Sequence, residues 1–288
     1  MTTFLQVLMT GILTGGVYAL VGIGLSLIFG VMRIVNFAHG EFVALGMYAS
    51  LLLFQSLGID PYLAIPLIIV GGIVLGAVVE RVFIAPIIAA PEHVSILMTV
   101  GVGLVISNLL LFGFGAHPQS IFTWYSTKTV RIAGVTFSGP LSVSFLITLA
   151  VIVGLYWVLT RTEIGRAMRA TAQNRDAAEL QGINTGVARM LAFGIGVALA
   201  AVSGTLLLPV LYVIPTIGGV FTLKAFVVTV LGGMGNVLGA IGGGLILGVT
   251  ESLGAAYISS GYRDAFGLIA FLAVLLLRPA GLFGKSRV

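Results

Sequence analysis

Long, uninterrupted apolar runs separated by short polar stretches make up most of this chain. The runs lie near residues 8–31, 37–57, 61–79, 94–115, 140–159 and 190–213, followed by a glycine-rich stretch at 219–253 and a last run near 262–278. Most of them approach the ~20 residues that an α-helix needs to cross a bilayer. Because the runs are continuous and do not alternate with polar residues, a transmembrane β-barrel does not fit them. The pattern predicts an all-α, polytopic integral membrane protein.

The glycine-rich stretch at 219–253 is too long for one ordinary span. Within it, "GGMGN" at 232–236 predicts a tight turn between two shorter helices, since Gly and Asn tolerate the left-handed backbone of such turns. Two arrangements are compatible with this stretch: three short crossings after residue 215, or a re-entrant hairpin followed by one crossing. The sequence therefore predicts eight or nine transmembrane or re-entrant helices, in a single domain over residues 1–288.

Composition and charge agree with a membrane protein and add a topology. Only 8% of the 288 residues are charged, against about 25% in a soluble domain. The longest polar segment, 160–189, carries five arginines and three acidic residues, which predicts a cytoplasmic loop by the positive-inside rule. Alternating the spans from this loop puts Arg33, Arg81 and the C-terminal "GKSR" in the cytoplasm. The 117–138 loop and the N-terminus then lie outside.

The cytoplasmic loop itself has a helical pattern. Residues 163–189 are mostly good helix formers punctuated by glycines, which predicts two short helices, and Gly182 suits a left-handed C-cap after "NRDAAELQ". Small residues at 177–178 would leave a compact knob that another protein could grip. The alternative is an ordinary inter-helix loop whose arginines only fix the topology.

Three motifs carry a resemblance to a known family. "DAAELQG" at 176–182 resembles the Glu-Ala-Ala-x-x-x-Gly coupling motif of ABC importer permeases: Ala177, Ala178 and Gly182 match, Asp176 replaces Glu, and the usual downstream Leu-Pro is absent. The longer segment "GRAMRATAQNRDAAELQGI" at 165–183, together with "YALVGIGLSLIFGVMRIVNFAHGEFVALGMY" and "VTVLGGMGNVLGAIGGG", resembles the LivH-type permeases of branched-chain amino-acid ABC importers. The resemblance covers essentially the whole chain in the right order.

The resemblance implies a non-catalytic permease subunit in the bacterial inner membrane. Its implied partners are a second, LivM-type permease, two cytoplasmic ATPases that hydrolyse ATP, and a soluble substrate-binding protein. The implied cargo is a branched-chain or related amino acid, with urea, short amides or other small solutes as the alternative within the family. The sequence agrees, since it contains no G-x-x-x-x-G-K-[ST] nucleotide loop and its three histidines are too scattered for a metal cluster. No cofactor, metal or nucleic acid is expected.

Two sets of site residues are predicted, one in the loop that the resemblance makes the coupling segment and one from polar groups that lipid would not tolerate. In the loop at 163–186, which would dock on the ATPase, the predicted coupling residues are Gly165, Arg166, Arg169, Asp176, Ala177, Ala178 and Gly182. The predicted translocation path or gate comprises Asn36, His39, Gly40 and Glu41, in the polar stretch "MRIVNFAHGEF" at 32–42.

This polar stretch needs an interior location. A carboxylate near the bilayer centre costs about 3 kcal/mol on insertion scales, so such a group usually faces protein. If helix 2 begins near Ile34, Glu41 lies ~10 Å along it, on the side of Arg33 and Phe37. Gly40 would then permit a close helix approach or a helix break. Asn36 and Glu41 either lock helices together or line the path.

Three other polar residues inside apolar runs have simpler interpretations. Asn108 is expected to join two helices by hydrogen bonding. Lys224 and Glu251, near the ends of the glycine-rich hairpin, are expected to snorkel or to pair at the membrane interface.

Two further function classes are compatible with the composition. A stand-alone secondary transporter or channel would use Glu41 and His39 as a proton or ion site, but it leaves the loop at 163–186 without a purpose. A membrane scaffold without transport activity is the other.

Overall fold

The computed structural model describes residues 2–132 and 135–284. Eight helical stretches in these ranges are long and apolar enough to cross a membrane, and a ninth apolar helix is shorter. The α-helices are α1 (Thr2–Met32), α2 (His39–Leu57), α3 (Pro61–Val79), α4 (Glu92–Phe114), α5 (Gly139–Arg161), α6 (Glu163–Gln173), α7 (Arg175–Leu180), α8 (Thr185–Leu207), α9 (Ile217–Gly232), α10 (Val237–Tyr257) and α11 (Arg263–Leu277). The all-α prediction is confirmed.

One face of the helix bundle carries the hairpin β1 (Thr129–Ile132) and β2 (Val135–Ser138), which pair antiparallel. Backbone hydrogen bonds of 2.9 and 2.8 Å join Gln119, in the same loop, to Val213 after α8. On this face the Tyr62 hydroxyl, at the start of α3, donates to the Pro140 carbonyl at 2.9 Å. Helices α6 and α7 follow the opposite end of α5, so the two polar loops lie on opposite sides of the bundle.

Small residues let the central helices approach closely. Helix α1 packs along α10, where a Cβ added to Gly15 would lie 2.9 Å from the Leu245 Cα. Helix α3 packs along α8, where a Cβ on Gly76 would lie 2.7 Å from the Gly194 Cα. Close backbone contact of this kind is how helices associate in lipid, where apolar side chains gain nothing by leaving the solvent. Helices α1 and α8 form the buried centre, while α4, α5 and α11 leave most of their surface exposed.

The glycine-rich stretch forms two helices, as predicted. Between α9 and α10, Gly233 and Gly235 adopt φ values of 88° and 81°, and the Asn236 side chain caps α10 by accepting from the Gly239 N–H at 3.0 Å. Helix α9 has 16 residues, about 24 Å at 1.5 Å per residue. It is therefore shorter than the ~30 Å hydrocarbon core. With α10 and α11, three α-helices follow residue 215 in the part of the chain that the structure describes.

The predicted span at 190–213 is displaced from the helix that forms there. Helix α8 begins at Thr185, where the Asn184 side chain caps it by accepting from the Val187 N–H at 3.0 Å. Arg189 lies inside this helix because the Glu80 carboxylate, just after α3, neutralises its charge. The Arg189 Nε is 3.6 Å from the Glu80 Oε1. The helix ends at Leu207, two residues before Pro209. The predicted cytoplasmic "GKSR" lies outside the described residues except for Gly284.

Candidate translocation site and coupling surface

The polar stretch begins with a non-helical connection between α1 and α2. Helix α2 begins at His39, two residues after the start of the predicted run at 37–57. The condition that it starts near Ile34, which would place Arg33 and Phe37 along one side of it, is not met. Arg33 has a left-handed φ of 58°, which ends α1. The Asn36 side chain accepts from the Ala38 N–H at 3.0 Å, a local turn that competes with a helix.

The first turn of α2 lies deep within the bundle. The His39 Nε2 is 2.9 Å from the Val21 carbonyl, and Val21 precedes the end of α1 by about 11 residues, or ~16 Å. Gly103 is the central residue of the 23-residue helix α4. A Cβ there would lie 3.4 Å from the Ala38 Cα and 3.5 Å from the Glu41 Cγ. Helix α2 therefore starts at mid-membrane depth, after the chain has returned from the end of α1.

Helix α9 meets this turn with its own first turns. The Gly40 N–H donates to the Thr222 hydroxyl at 3.0 Å, and that hydroxyl donates to the Phe37 carbonyl at 3.3 Å. A Cβ on Gly40 would collide with the Gly218 carbonyl and with the Thr222 backbone. The junction thus requires glycine at position 40 for a close approach, one of the two roles the sequence suggested for it.

Three buried polar side chains at this junction keep unused hydrogen-bonding capacity within the described residues: Asn36, His39 through its Nδ1, and Glu41. Glu41 is 9% exposed and Asn36 is 1% exposed, and within the described residues neither Glu41 Oε2 nor Asn36 Nδ2 has a hydrogen-bond partner. The Glu41 carboxylate packs directly on Gly218, in the first turn of α9, where it fills the space that a Cβ on Gly218 would need. That helix end has no side-chain cap and is the positive end of the helix dipole. Buried polar atoms without partners call for a further partner or a ligand.

The structure brings all four predicted path residues together at this junction. His39 is fully buried. It packs so closely on α1 that a Cβ on Gly24 would lie 3.0 Å from the His39 Cε1. His39 therefore fixes α2 to α1 through its Nε2, while its Nδ1 lacks a partner within the described residues, as Glu41 Oε2 and Asn36 Nδ2 do.

In the polar loop between α5 and α8, the predicted pair of short helices is confirmed: these are α6 and α7. Thr162 caps α6 by accepting from the Gly165 N–H at 3.1 Å, and Asn174 caps α7 by accepting from the Ala177 N–H at 3.0 Å. Gly182 adopts a φ of 78°. The Ile183 N–H donates to the Ala178 carbonyl at 3.0 Å. Gly182 is therefore the left-handed C-cap that the sequence predicted.

The predicted coupling residues divide between the interior and the surface of this loop. Gly165 and Ala178 are buried, and Gly165 packs against the last carbonyl groups of α5. The remaining predicted coupling residues are exposed: Arg166, Arg169, Asp176, Ala177 and Gly182.

Two residues that the sequence analysis missed shape the outer side of α7. Leu180 ends α7 with 87% of its surface exposed. Glu179 accepts from the Thr185 hydroxyl at 2.5 Å and from the Arg175 Nε at 3.1 Å, which ties α7 to the start of α8. These two hydrogen bonds lower the pKa of the Glu179 carboxyl. The i, i+4 spacing of Arg175 and Glu179 is the sequence signal for part of this arrangement.

Buried ion pairs were also missed or misplaced. Glu80, in the π-helical turn Glu80–Ile84 after α3, pairs with Arg189, and both side chains are almost fully buried. Lys224 and Glu251 do pair, but they are buried at 7% and 1% exposure instead of snorkelling. Asp264 at the start of α11 completes the pair by accepting from Lys224 at 2.7 Å.

Asn108 does not join two helices within the described residues. It is exposed and donates to the Leu104 carbonyl of its own helix at 2.8 Å.

Comparison with known proteins identifies relatives along nearly the full chain. The family model for the branched-chain amino acid transport system / permease component matches residues 7–277. The high-affinity branched-chain amino acid transport system permease protein LivH of Salmonella typhimurium is 33% identical over 298 residues, covering 99% of this chain and 97% of that protein. LivH of Escherichia coli K12 is 34% identical with the same coverage. The permease protein LivM of E. coli K12 is 24% identical, covering 94% of this chain and 68% of that protein.

Proposed function

The chain belongs to the family of branched-chain amino acid transport permeases, and we propose that it is the non-catalytic membrane subunit of an ATP-driven importer. The proposed cargo is a branched-chain or related amino acid, by analogy with the cargo in the relatives' names. The observation that carries the proposal is the similarity to LivH proteins over 99% of the chain. We propose that residues 1–288 form one permease domain.

The proposed assembly contains this chain, a second permease of the LivM type, two cytoplasmic ATPases and a soluble binding protein. Similarity to both LivH and LivM supports a pair of related permeases. The multi-pass chain would lie in the bacterial inner membrane with its N-terminus outside and its C-terminus in the cytoplasm. The arginine-rich segment around α6 and α7 supports this orientation.

The ATPase would bind the surface formed by α6 and α7. This surface presents the exposed Leu180 beside Asp176, Ala177 and Gly182. A projecting apolar side chain in a polar rim is typical of a protein–protein anchor. Because Glu179 ties α7 to α8, a displacement of α7 would be transmitted to the buried centre of the bundle.

The Leu180 anchor can be tested by measuring ATPase affinity. Leu180→Asp should weaken capture of the ATPase by the purified permease at least about tenfold, because truncating a central anchor costs about 2 kcal/mol or more. The neighbouring exposed variant Gln181→Glu adds the same charge without removing apolar surface and should bind normally. Equal capture by both variants would place the ATPase elsewhere.

The translocation path would pass the junction of α2 and α9. Helix ends that start inside a membrane protein offer free backbone groups and a dipole to polar cargo. Glu41 and Asn36 supply the unpaired polar atoms there. Alternating access would require α2 and α9 to separate in one state of the cycle.

The function as a whole is tested by capture and uptake. The tagged chain, purified from its native membranes, should retain a second permease and two ATPases. In proteoliposomes with the binding protein, the complex should take up labelled leucine only when ATP is supplied. Uptake of urea or acetamide without leucine would assign the other cargo class, and uptake by the isolated chain in a proton gradient would overturn the importer assignment.

A further inference from the structure

A cleft of about 720 Å³ opens between the ends of α1, α5, α6 and α10, on the side of the membrane that carries α6 and α7. Its walls include Leu27, Val31, Leu159 and Leu238. Leu27 precedes the end of α1 by about five residues, so the apolar wall continues roughly 8 Å into the bundle. The cleft therefore combines an apolar wall with a polar rim that includes Thr160 and Asn236.

Two guanidinium groups from different elements line this cleft. Arg33 follows α1 and Arg169 projects from α6, and both are exposed. Neither arginine takes part in an ion pair within residues 2–132 and 135–284. None of the lining residues in the described chain is acidic. Two like charges that share an apolar cleft attract an anion.

The position of the cleft indicates where that anion comes from. Tyr156, which lines the cleft, and its neighbour Trp157 are 55% and 60% exposed near the end of α5. Tyrosine and tryptophan concentrate at the headgroup level of membranes. The mouth of the cleft therefore lies at the level of lipid phosphates, and its apolar wall extends toward the hydrocarbon.

We propose that this cleft binds an anionic phospholipid. The phosphodiester group would accept hydrogen bonds from Arg33 and Arg169, since guanidinium groups match phosphate geometry. One acyl chain would lie along the wall that contains Leu27 and Leu238. Basic pockets between transmembrane helices bind anionic headgroups in this way. The site is independent of the translocation path and of the proposed cargo.

The test measures lipid retention by the full-length chain in detergent, using native mass spectrometry. Dioleoylphosphatidylglycerol should bind at least about tenfold more tightly than dioleoylphosphatidylcholine at equal concentration, because only the former carries net charge. The variant Arg33→Gly/Arg169→Gln should lose this preference. Glycine suits the left-handed φ at position 33, so the substitution removes the charge without straining the backbone.

Arg161→Gln is the matched control, because Arg161 is exposed at the end of α5 but does not line the cleft. It should keep the preference for phosphatidylglycerol. Thermal unfolding of each variant without added lipid checks the fold, and Arg169→Gln alone, on an exposed position, should reduce the preference if the double variant unfolds.

Four results would overturn the proposal. The first is equal binding of the two lipids, and the second is an equal loss in Arg161→Gln. The third is displacement of the lipid by millimolar inorganic phosphate, which would indicate a soluble anion. The fourth is a double variant that loses ATPase capture but keeps its lipid preference, which would make the cleft a protein contact.

Discussion

At the scale of single residues, Gly40 is the position on which the junction of α2 and α9 depends most directly. A side chain there would occupy the space of the Gly218 carbonyl and the Thr222 backbone. Backbone atoms cannot move aside as the end of a flexible side chain can. The junction therefore has a steric requirement that is separate from the polar chemistry of Glu41.

Gly40→Ala should destabilise the chain by about 1–3 kcal/mol, the usual cost of overpacking. Gly101→Ala is the control, because Gly101 lies on α4 with open space around its Cα. Alanine there should be neutral or stabilising by up to about 1 kcal/mol. Thermal unfolding of both variants in detergent measures the difference in stability. Equal unfolding temperatures would show that α9 moves away from a side chain at position 40 without loss of stability.

The buried pair Glu80–Arg189 gives a second prediction at this scale. Either Glu80→Gln or Arg189→Gln alone should cost about 3–5 kcal/mol, because one charge remains buried without its partner. The double variant Glu80→Leu/Arg189→Leu should cost less than either single change. The exposed pair Glu163–Arg166 is the control. Breaking it by replacing either residue with Gln should lower the free energy of unfolding by less than about 1 kcal/mol. Thermal unfolding in detergent measures these losses. A variant Glu80→Gln/Arg189→Gln whose loss equals the sum of the two single losses would mean that the two charges are not coupled.

At the scale of elements, α7 is held by its ends. It has six residues and buries only Ala178 among its side chains, so its position depends on the Asn174 cap, the Gly182 C-cap and the hydrogen bonds of Glu179. An isolated helix of this length is unstable in water. Removing one of these supports should therefore loosen the element without unfolding the bundle.

The Glu179 support should depend on pH. Its pKa in the folded chain lies below the ordinary value of 4.5, because the carboxylate accepts from Thr185 and Arg175. The stabilisation of α7 by the Glu179 carboxylate is therefore fully present above about pH 4.5. It is lost as the pH falls through the lower pKa that Glu179 has in the folded chain. Hydrogen exchange of the amides at 176–182, corrected for intrinsic rates, should show less protection below that pKa. Glu179→Gln should remove the pH dependence, and an unchanged profile would contradict this role.

The elements also show how far sequence patterns reach. Continuous apolar runs predicted the membrane helices, and the glycine and asparagine turn at 232–236 separated α9 from α10 where it was expected. The apolar run at 37–57 also marked α2, but the Asn36 turn that precedes this helix inside the bundle was not predicted, because hydropathy does not encode such a hydrogen bond. The start of α8 was misjudged because the charge of Arg189 is cancelled by Glu80, which is distant in sequence.

At the scale of the whole molecule, charges fall into two groups with different predictability. Four arginines of the polar segment at 160–189 remain exposed, as its composition predicts, whereas Arg189 is buried beside Glu80. Lys224, Glu251 and Asp264 come from three helices and meet only when α9, α10 and α11 pack. The sequence identified Glu41 as costly in lipid, but only the fold shows that it faces the first turn of α9 at mid-membrane depth.

The central claim is that cargo passes the junction of α2 and α9. The most direct measurement is the initial rate of ATP-driven leucine uptake by the reconstituted complex with Glu41→Gln, compared with Glu92→Gln on the exposed first turn of α4. Glu41→Gln should lower the rate at least about tenfold while assembly is unchanged, since hydrogen bonds to a charged group contribute about 1.5–3 kcal/mol. The Glu92→Gln complex should transport at the parental rate. Parental uptake by the Glu41→Gln complex, or its failure to assemble, would contradict the claim.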